Sequence, residues 1–178
     1  MILLMGIAGS GKGTQGKMLA DQHGFHLISM GDVVRMYVTG EQRERMLAGG
    51  LLDNQEIIKI VDKVLASLSD DEEVLLDGFP RTIPQAEWLL DQINTGRFEL
   101  KAVFHLVASR SAVKARLLSR ARIDDKDTAI EARFNEYEKN TVPLLKWLTG
   151  HGITVTNVDA ERSAPAVNAA LVNYLKTT

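Results

Sequence analysis

The stretch GIAGSGKGT, residues 6–14, follows a short apolar run and precedes a segment with a helical pattern that begins at Lys12. Its glycines allow backbone N–H groups to surround an anion, and the N-terminus of the helix adds partial positive charge at the same point. Gly13 and then Thr14 follow the lysine, whereas the general pattern has Ser or Thr directly after it. The four glycines and their flanks favour a phosphate-binding loop over a Gly-rich turn with a solvated lysine, and place Lys12 against the outer phosphates of a nucleotide.

The composition limits the classes of protein that the chain can belong to. Its 178 residues are 45% hydrophobic and 25% charged, which predicts one soluble domain with a substantial core. The net charge of -2 argues against a surface for nucleic acid or anionic membranes, and the lack of cysteine excludes disulfides and thiolate chemistry. The sequence contains neither a leader-like segment nor an apolar run long enough to span a membrane. We therefore expect a cytoplasmic protein with small-molecule partners.

Short apolar runs alternate with segments of helical length along the chain, which predicts an α/β fold with a parallel sheet covered on both faces. The predicted strands fall within residues 2–7, 26–29, 73–77, 101–107 and 152–158. The predicted helices cover residues 12–22, 54–67, 84–93, 111–120, 128–148 and 165–175. Thr128 has the spacing of a capping box with Glu131, and Pro143 is expected to kink the long helix that follows.

The segment VLLDGFPRTIPQA, residues 74–86, ends an apolar strand in Asp77. A carboxylate at the carboxyl end of such a strand lies beside a phosphate loop in a parallel sheet. Magnesium prefers oxygen ligands and keeps several waters, so Asp77 is a candidate to hold Mg²⁺ through water. Taken alone, Asp77 could instead be a turn residue, and its pairing with the loop favours the metal role.

Together, GSGKGTQ and DGFPRTIPQA closely resemble adenylate kinase and its nucleoside monophosphate kinase relatives, a family that places Gly and then Thr after the lysine. The resemblance implies a three-layer P-loop fold with a five-stranded parallel sheet in a single kinase domain, residues 1–178. Within it, residues 30–59 would form a small segment that binds the monophosphate, and about 116–127 a very short lid. The implied reaction is Mg²⁺-dependent phosphoryl transfer from ATP to AMP, giving two ADP, by a monomer.

Such a reaction brings two anionic nucleotides together, so it requires several convergent guanidinium groups. It requires no catalytic base, because the acceptor phosphate is already anionic. The histidines are therefore expected to be ordinary surface or strand-end residues: His23, His26, His105 and His151.

The resemblance assigns roles to individual residues of this sequence. It implies contacts to ATP from Gly9, Ser10, Gly11, Lys12, Gly13, Thr14, Arg116 and Arg120. It implies contacts to AMP from Met30, Gly31, Arg35, Leu52, Gly78, Arg81, Gln85, Arg122 and Arg133. The catalytic set would be Lys12, Arg81, Arg120, Arg122 and Arg133, and the ATP base would lie near residues 160–163.

Three features leave alternatives open. Gln85 can pair with the edge of adenine, but Met30 replaces the usual threonine of the family, so a kinase for UMP or CMP is an alternative. The predicted lid has only Ala121 between Arg120 and Arg122, so a nucleotide-binding protein with weakened catalysis is another. The adjacent carboxylates, Asp124 and Asp125, either orient arginines or form a solvated run before a helix.

Overall fold

The computed structural model describes residues 1–69, 72–120 and 122–177. Its centre is a five-stranded sheet in which all neighbours are parallel, in the order β2-β3-β1-β4-β5. The strands are β1 Ile2–Met5, β2 His26–Ser29, β3 Val74–Asp77, β4 Ala102–Val107 and β5 Val155–Asp159. The first four predicted runs contain β1 to β4, and the fifth, residues 152–158, overlaps β5 without its last residue. The predicted α/β class with a five-stranded parallel sheet is confirmed.

Helices cover both faces of the sheet. Those between β1 and β3 are α1 Lys12–His23, α2 Met30–Tyr37, α3 Gly40–Leu47 and α4 Asn54–Ala66. Those that follow are α5 Ile83–Asn94, α6 Arg110–Arg120, α7 Asp127–Glu136, α8 Val142–Gly150 and α9 Ala164–Thr177. No helix among the described residues has the length and apolar character needed to cross a bilayer.

Alternate residues of the central strand β1 supply two separate apolar cores. Leu3 and Met5 pack in the cluster that includes buried residues of α4, α5 and α8. Ile2 and Leu4 point to the other face, where α1 and α9 contribute Leu19 and Leu171. Because both faces of β1 are buried, the strand reads as a continuous apolar run, and its carboxyl end delivers the phosphate loop to the edge of the sheet.

The predicted helix over residues 128–148 lies within one continuous helical segment, which a π-helical turn divides into two α-helices. α7 ends at Glu136, a π-helical turn covers Tyr137–Thr141, and α8 begins at Val142. Pro143 has no N–H, and its ring would clash with the carbonyl four residues earlier, so one widened turn accommodates it. In this turn the Val142 N–H donates to the Tyr137 carbonyl, five residues back. The predicted capping box is wrong, because Lys126 occupies the N-cap position.

Candidate active site

A cavity of about 540 Å³ lies at the carboxyl ends of the strands, between the phosphate loop, α2, α5 and the end of α6. Open parallel sheets bind ligands at this edge. The predicted site residues that line it are Gly9, Gly11, Lys12, Gly13, Thr14, Met30, Gly31, Arg35, Leu52, Asp77, Gly78, Arg81, Gln85, Arg116, Arg120, Arg122 and Arg133. Ser10 is the exception, since its side chain is fully buried and does not line the cavity.

Backbone geometry prepares the loop for an anion. Gly9 and Gly11 have φ of +89° and +104°, in the region that L side chains rarely adopt. A Cβ on Gly9 would also lie 2.8 Å from Leu117 of α6. α1 begins directly afterwards, and no side chain in the described part of the chain caps its N-terminus. Its first N–H groups are therefore available to a phosphate.

Lys12 is buried and donates to the loop's own backbone. Its Nζ lies 2.8 Å from the Gly6 carbonyl, 2.9 Å from the Ile7 carbonyl and 4.0 Å from Oδ1 of Asp77. Burial lowers the pKa of Lys12 to about 8; Asp77 opposes this change, whereas Arg81 and Arg120 add to it. The lysine is thus a weakly solvated cation, held beside the carboxylate at the end of β3.

Asp125 is the centre of an ion-pair cluster between α6 and α7. Arg120 donates Nε and Nη2 to its two oxygens at 2.8 and 2.7 Å, and Arg133 donates Nη1 at 2.8 Å. Burial alone would raise the pKa of Asp125, but these hydrogen bonds outweigh it and lower that pKa to about 2. Arg133 also pairs with Asp124, which is buried as well. The interpretation of these two aspartates as a solvated run is wrong; they orient arginines.

The arginine predicted to grip the acceptor phosphate on α2 is held from two sides. Arg35 pairs with Asp32 one turn earlier and lies 3.9 Å from Asp124. Arg122 also approaches Asp32, at 3.9 Å. A Cβ on Gly31 would lie 3.4 Å from the Arg35 guanidinium, so the glycine leaves room for this side chain. The α2 segment and the segment after α6 thereby meet through charged groups at the cavity.

Arg81 has a similar arrangement at the end of β3. Its Nε donates to the Gly78 carbonyl at 2.8 Å, and a Cβ on Gly78 would lie 3.0 Å from its Nη2. The Arg81 backbone N–H donates to Oε1 of Gln85, which is itself buried. Two hydrogen bonds within the motif DGFPRTIPQ therefore hold Arg81, one from its side chain to Gly78 and one from its backbone to Gln85.

Arg116 joins two segments that were predicted to surround ATP. One Nη donates to the Ala160 carbonyl at 2.8 Å, and the other lies 3.4 Å from the Ser10 carbonyl of the loop. The predicted site for the ATP base, residues 160–163, thus starts at a residue bonded to Arg116. Ala121, the residue between the two lid arginines, lies outside the described residues.

Sequence reasoning missed several residues that line the cavity: Lys17, Glu136, Tyr137 and Thr141. Thr141 donates to the Arg81 carbonyl at 3.4 Å, a contact over 60 positions that no local motif signals. Lys17 lies on α1 beyond the loop motif. Its positive charge was the feature of the sequence that could have marked it as a residue of a phosphate site.

His105 is not the ordinary surface or strand-end residue that was expected. It is buried in β4, with Nδ1 2.7 Å from Oδ1 of Asn157 and Nε2 2.6 Å from the Tyr137 hydroxyl. The tautomer with a proton on Nδ1 donates to the amide oxygen and accepts from the hydroxyl. Burial lowers the pKa of His105, in agreement with a neutral ring.

A phosphate loop on a five-stranded parallel sheet, with a buried lysine and converging arginines, defines the class as a P-loop phosphotransferase. The chain matches the sequence profile of the family "Adenylate kinase" over residues 4–153. It is 33% identical to an adenylate kinase of Synechococcus sp. strain CC9902, with 98% of this chain and 97% of that protein aligned. The chain belongs to the adenylate kinase family, as its motifs predicted.

Other relatives give the same result. The chain is 35% identical to an adenylate kinase of Corynebacterium urealyticum, with 95% of each protein aligned. It is 31% identical to one of Beijerinckia indica, with 98% of each aligned. Because these alignments cover nearly all of both chains, the relatives are close to this chain in length. The predicted enzyme class, a nucleoside monophosphate kinase, is confirmed.

Proposed function

We propose that the protein is an adenylate kinase that transfers a phosphoryl group from ATP to AMP, reversibly, to give two ADP. The observation that carries this proposal is the convergence of Lys12 with arginines from α2, from the turn between β3 and α5, from α6 and the segment after it, and from α7 on one cavity. Phosphoryl transfer depends on positioning and on stabilising the charge of the moving group, which such a cluster supplies. The family and the names of the relatives support the same reaction.

On the donor side, the loop from Gly9 to Thr14 holds the phosphates of ATP with its backbone N–H groups. Lys12 exchanges its bonds to the loop carbonyls for bonds to phosphate oxygens. Arg120 contacts the phosphates from the end of α6, and Arg116 lies against the base, beside the Ala160 carbonyl that it already contacts.

On the acceptor side, the phosphate of AMP lies between Arg35 and Arg81, with Arg122 and Arg133 bridging to the transferred group. Gly31 and Gly78 support this arrangement, since each leaves space that an arginine fills. The adenine lies between the Leu52 carbonyl and the Gln85 amide, while Met30 offers an apolar contact. Residues 30–59 then act as the monophosphate-binding segment, and about 116–127 as a short lid.

Magnesium fits the group at the end of β3. Asp77 is a buried carboxylate 4.0 Å from Nζ of Lys12, and a Cβ on Gly13 would be 3.8 Å from its Oδ2, so it faces the first turn of α1. A hard cation that keeps several waters suits a single carboxylate of this kind. Bound Mg²⁺ would neutralise charge on the phosphates of ATP.

In the transfer, an oxygen of the AMP phosphate forms a bond to the γ-phosphorus of ATP. The bond from that phosphorus to the bridging oxygen breaks, and its electrons remain on the β-phosphate of the departing ADP. Lys12 and the arginines stabilise the charge that shifts toward this oxygen. No side chain needs to remove a proton, so the neutral His105 has no role in this step.

A kinase for UMP or CMP was the nearest alternative, because Met30 lacks a hydroxyl. It is not favoured, since Gln85 lines the cavity and the matched relatives bear the name adenylate kinase. A protein with weakened catalysis is disfavoured because Lys12, Asp77 and the arginines are all present. We further propose that the enzyme works as a cytoplasmic monomer.

Product analysis with ATP, Mg²⁺ and each of AMP, GMP, CMP and UMP tests this proposal, resolved by phosphorus NMR. We expect rapid ADP formation with AMP, and at most slow turnover with the other acceptors. Preferential turnover of UMP or CMP, or nucleotide binding without product, would overturn it.

A further inference from the structure

A hydrogen-bonded cluster joins the start of α4 to the start of α5, on the acceptor side of the cavity. Asn54 is the first residue of α4, and its Oδ1 accepts from the Thr82 hydroxyl at 2.8 Å and from Nε2 of Gln85 at 3.0 Å. Oε1 of Gln85 accepts from the Arg81 backbone N–H at 2.8 Å. The three bonds connect a surface segment to the motif that carries an acceptor arginine.

The backbone N–H fixes the orientation of both amides. Because the Arg81 N–H can only donate, the oxygen of Gln85 must face it, and the nitrogen of Gln85 must face Asn54. Asn54 must then present its oxygen. Gln85 is 3% exposed, so its nitrogen would lack a compensating bond within the cluster if Asn54 were truncated.

The fixed amide leaves Gln85 with one N–H and one lone pair that these bonds do not use. Gln85 and Leu52 line the same cavity, and Leu52 lies two residues before Asn54. Asn54 therefore connects the two residues that are predicted to contact the acceptor base, Gln85 through a hydrogen bond and Leu52 through the backbone. Adenine presents a donor beside an acceptor on its edge, which matches the remaining capacity of the Gln85 amide.

We propose that Asn54 is a positioning residue that sets the acceptor's base selectivity by holding the amide of Gln85. This inference rests on the proposed function, in which AMP is the acceptor. Asn54 acts through Gln85 and is not itself a catalytic residue. Its contribution is geometric, so a side chain that keeps an acceptor oxygen in the same place should replace it.

The test compares three variants with matched roles. Asn54→Ala removes the oxygen, and Asn54→Asp keeps an acceptor for both donors. Asp53→Ala is the control, because Asp53 caps the same helix through the N–H groups of Gln55 and Glu56 but makes none of the bonds to Gln85. For each, kcat and KM are measured with AMP and GMP as acceptors and with ATP as donor, beside the thermal midpoint. GMP is the informative competitor, because guanine presents an acceptor beside a donor, the reverse of adenine, and the fixed Gln85 amide cannot turn to match it.

In Asn54→Ala we expect KM for AMP to rise and the preference for AMP over GMP to fall about 10-fold, as for one lost hydrogen bond, with KM for ATP unchanged. Asn54→Asp should keep that preference within about 3-fold of wild type, since both bonds can form. Asp53→Ala should lower Tm by about 2–4 °C through the lost cap while it keeps the preference.

An unchanged preference in Asn54→Ala, an equal loss in Asp53→Ala, or a lost preference in a folded Asn54→Asp would each overturn the inference. If Asn54→Ala does not fold, the preference measured in Asn54→Asp still tests the inference. A wild-type protein with no preference for AMP would instead overturn the proposed function, and the inference with it. If the wild type prefers AMP and Asn54→Ala keeps the same preference, the inference about Asn54 is overturned and the proposed function is not.

Discussion

In the proposed function, two sets of partners compete for the ammonium group of Lys12. Without nucleotide, it bonds to the carbonyls of Gly6 and Ile7 and lies near Asp77. Bound phosphate offers stronger, charge-assisted bonds to the same group. The loop carbonyls therefore hold the lysine beside Asp77, and the proposed function requires it to exchange them for phosphate oxygens.

Lys12→Ala is expected to lower kcat by at least about 10²-fold, because it removes charge stabilisation that matters most in the transition state. The thermal midpoint should show that the variant still folds. Lys17→Ala is the matched control, since it removes the same charge from the same cavity outside the loop. Near-normal turnover in Lys12→Ala, or equal losses in the two variants, would contradict the role of the phosphate loop.

The lowered pKa of Lys12 predicts a pH dependence for ATP binding. The free protein holds this lysine charged below its pKa of about 8 and loses the charge as the pH rises through that value. ATP affinity, measured by calorimetry, should therefore begin to weaken about one pH unit below this pKa and continue to fall as the pH rises above it. In Lys12→Ala the affinity should be lower and lack this step. A wild-type affinity that stays level up to pH 9.5, about 1.5 units above that pKa, would contradict the prediction.

Among the elements, the turn between α3 and α4 presses closely on α7. Gly49 has φ of +90°, and a Cβ there would lie 2.5 Å from the Ala129 carbonyl. This contact seats the segment that covers the acceptor side of the cavity against the helix that carries Arg133. A side chain at position 49 would force the two elements apart.

Gly49→Ala should therefore lower the free energy of unfolding by about 3 kcal/mol, from backbone strain together with the clash. Gly24→Ala isolates the strain, because Gly24 has φ of +71° and open space around it, and should cost about 1 kcal/mol. Urea unfolding of both variants measures the difference. Equal losses of the free energy of unfolding in the two variants would contradict the prediction, because the contact with α7 would then make no contribution to stability.

The inner strands β1, β3 and β4 could be predicted from the sequence because burial on both faces makes each a short apolar run. The phosphate loop and Asp77 could be predicted because each lies in a contiguous motif. The π-helical turn could not, since Pro143 signals a kink but not how the chain accommodates it. The bond from Thr141 to Arg81 and that from His105 to Tyr137 join distant positions, so no local pattern reveals them.

At the scale of the molecule, charge is concentrated where the chemistry needs it. The chain has a net charge of -2, yet the cavity is lined by more basic than acidic side chains. Several of these arginines pair with Asp32, Asp124 or Asp125. The carboxylates keep the guanidinium groups ordered and limit their mutual repulsion until phosphate binds.

The short segment between α6 and α7 predicts a side reaction. In adenylate kinases, the lid closes over the phosphates of ATP and keeps water away from them. A shorter lid covers less of these phosphates, so water has more access to them. Ile123 in this segment is 80% exposed, so here it packs little against the cavity. We expect slow phosphate release from ATP in the presence of AMP, absent in Lys12→Ala. Phosphate release no faster than in buffer would contradict this prediction.

The most direct test of the central claim starts from ADP alone. Incubated with Mg²⁺ and ADP, the purified protein should form ATP and AMP in equal amounts until equilibrium, because the reaction is reversible and both sites accept adenine nucleotides. Phosphorus NMR resolves all three species at once. Equal amounts of ATP and AMP would establish the proposed reaction; ADP that stays unchanged, or AMP and inorganic phosphate without ATP, would contradict it.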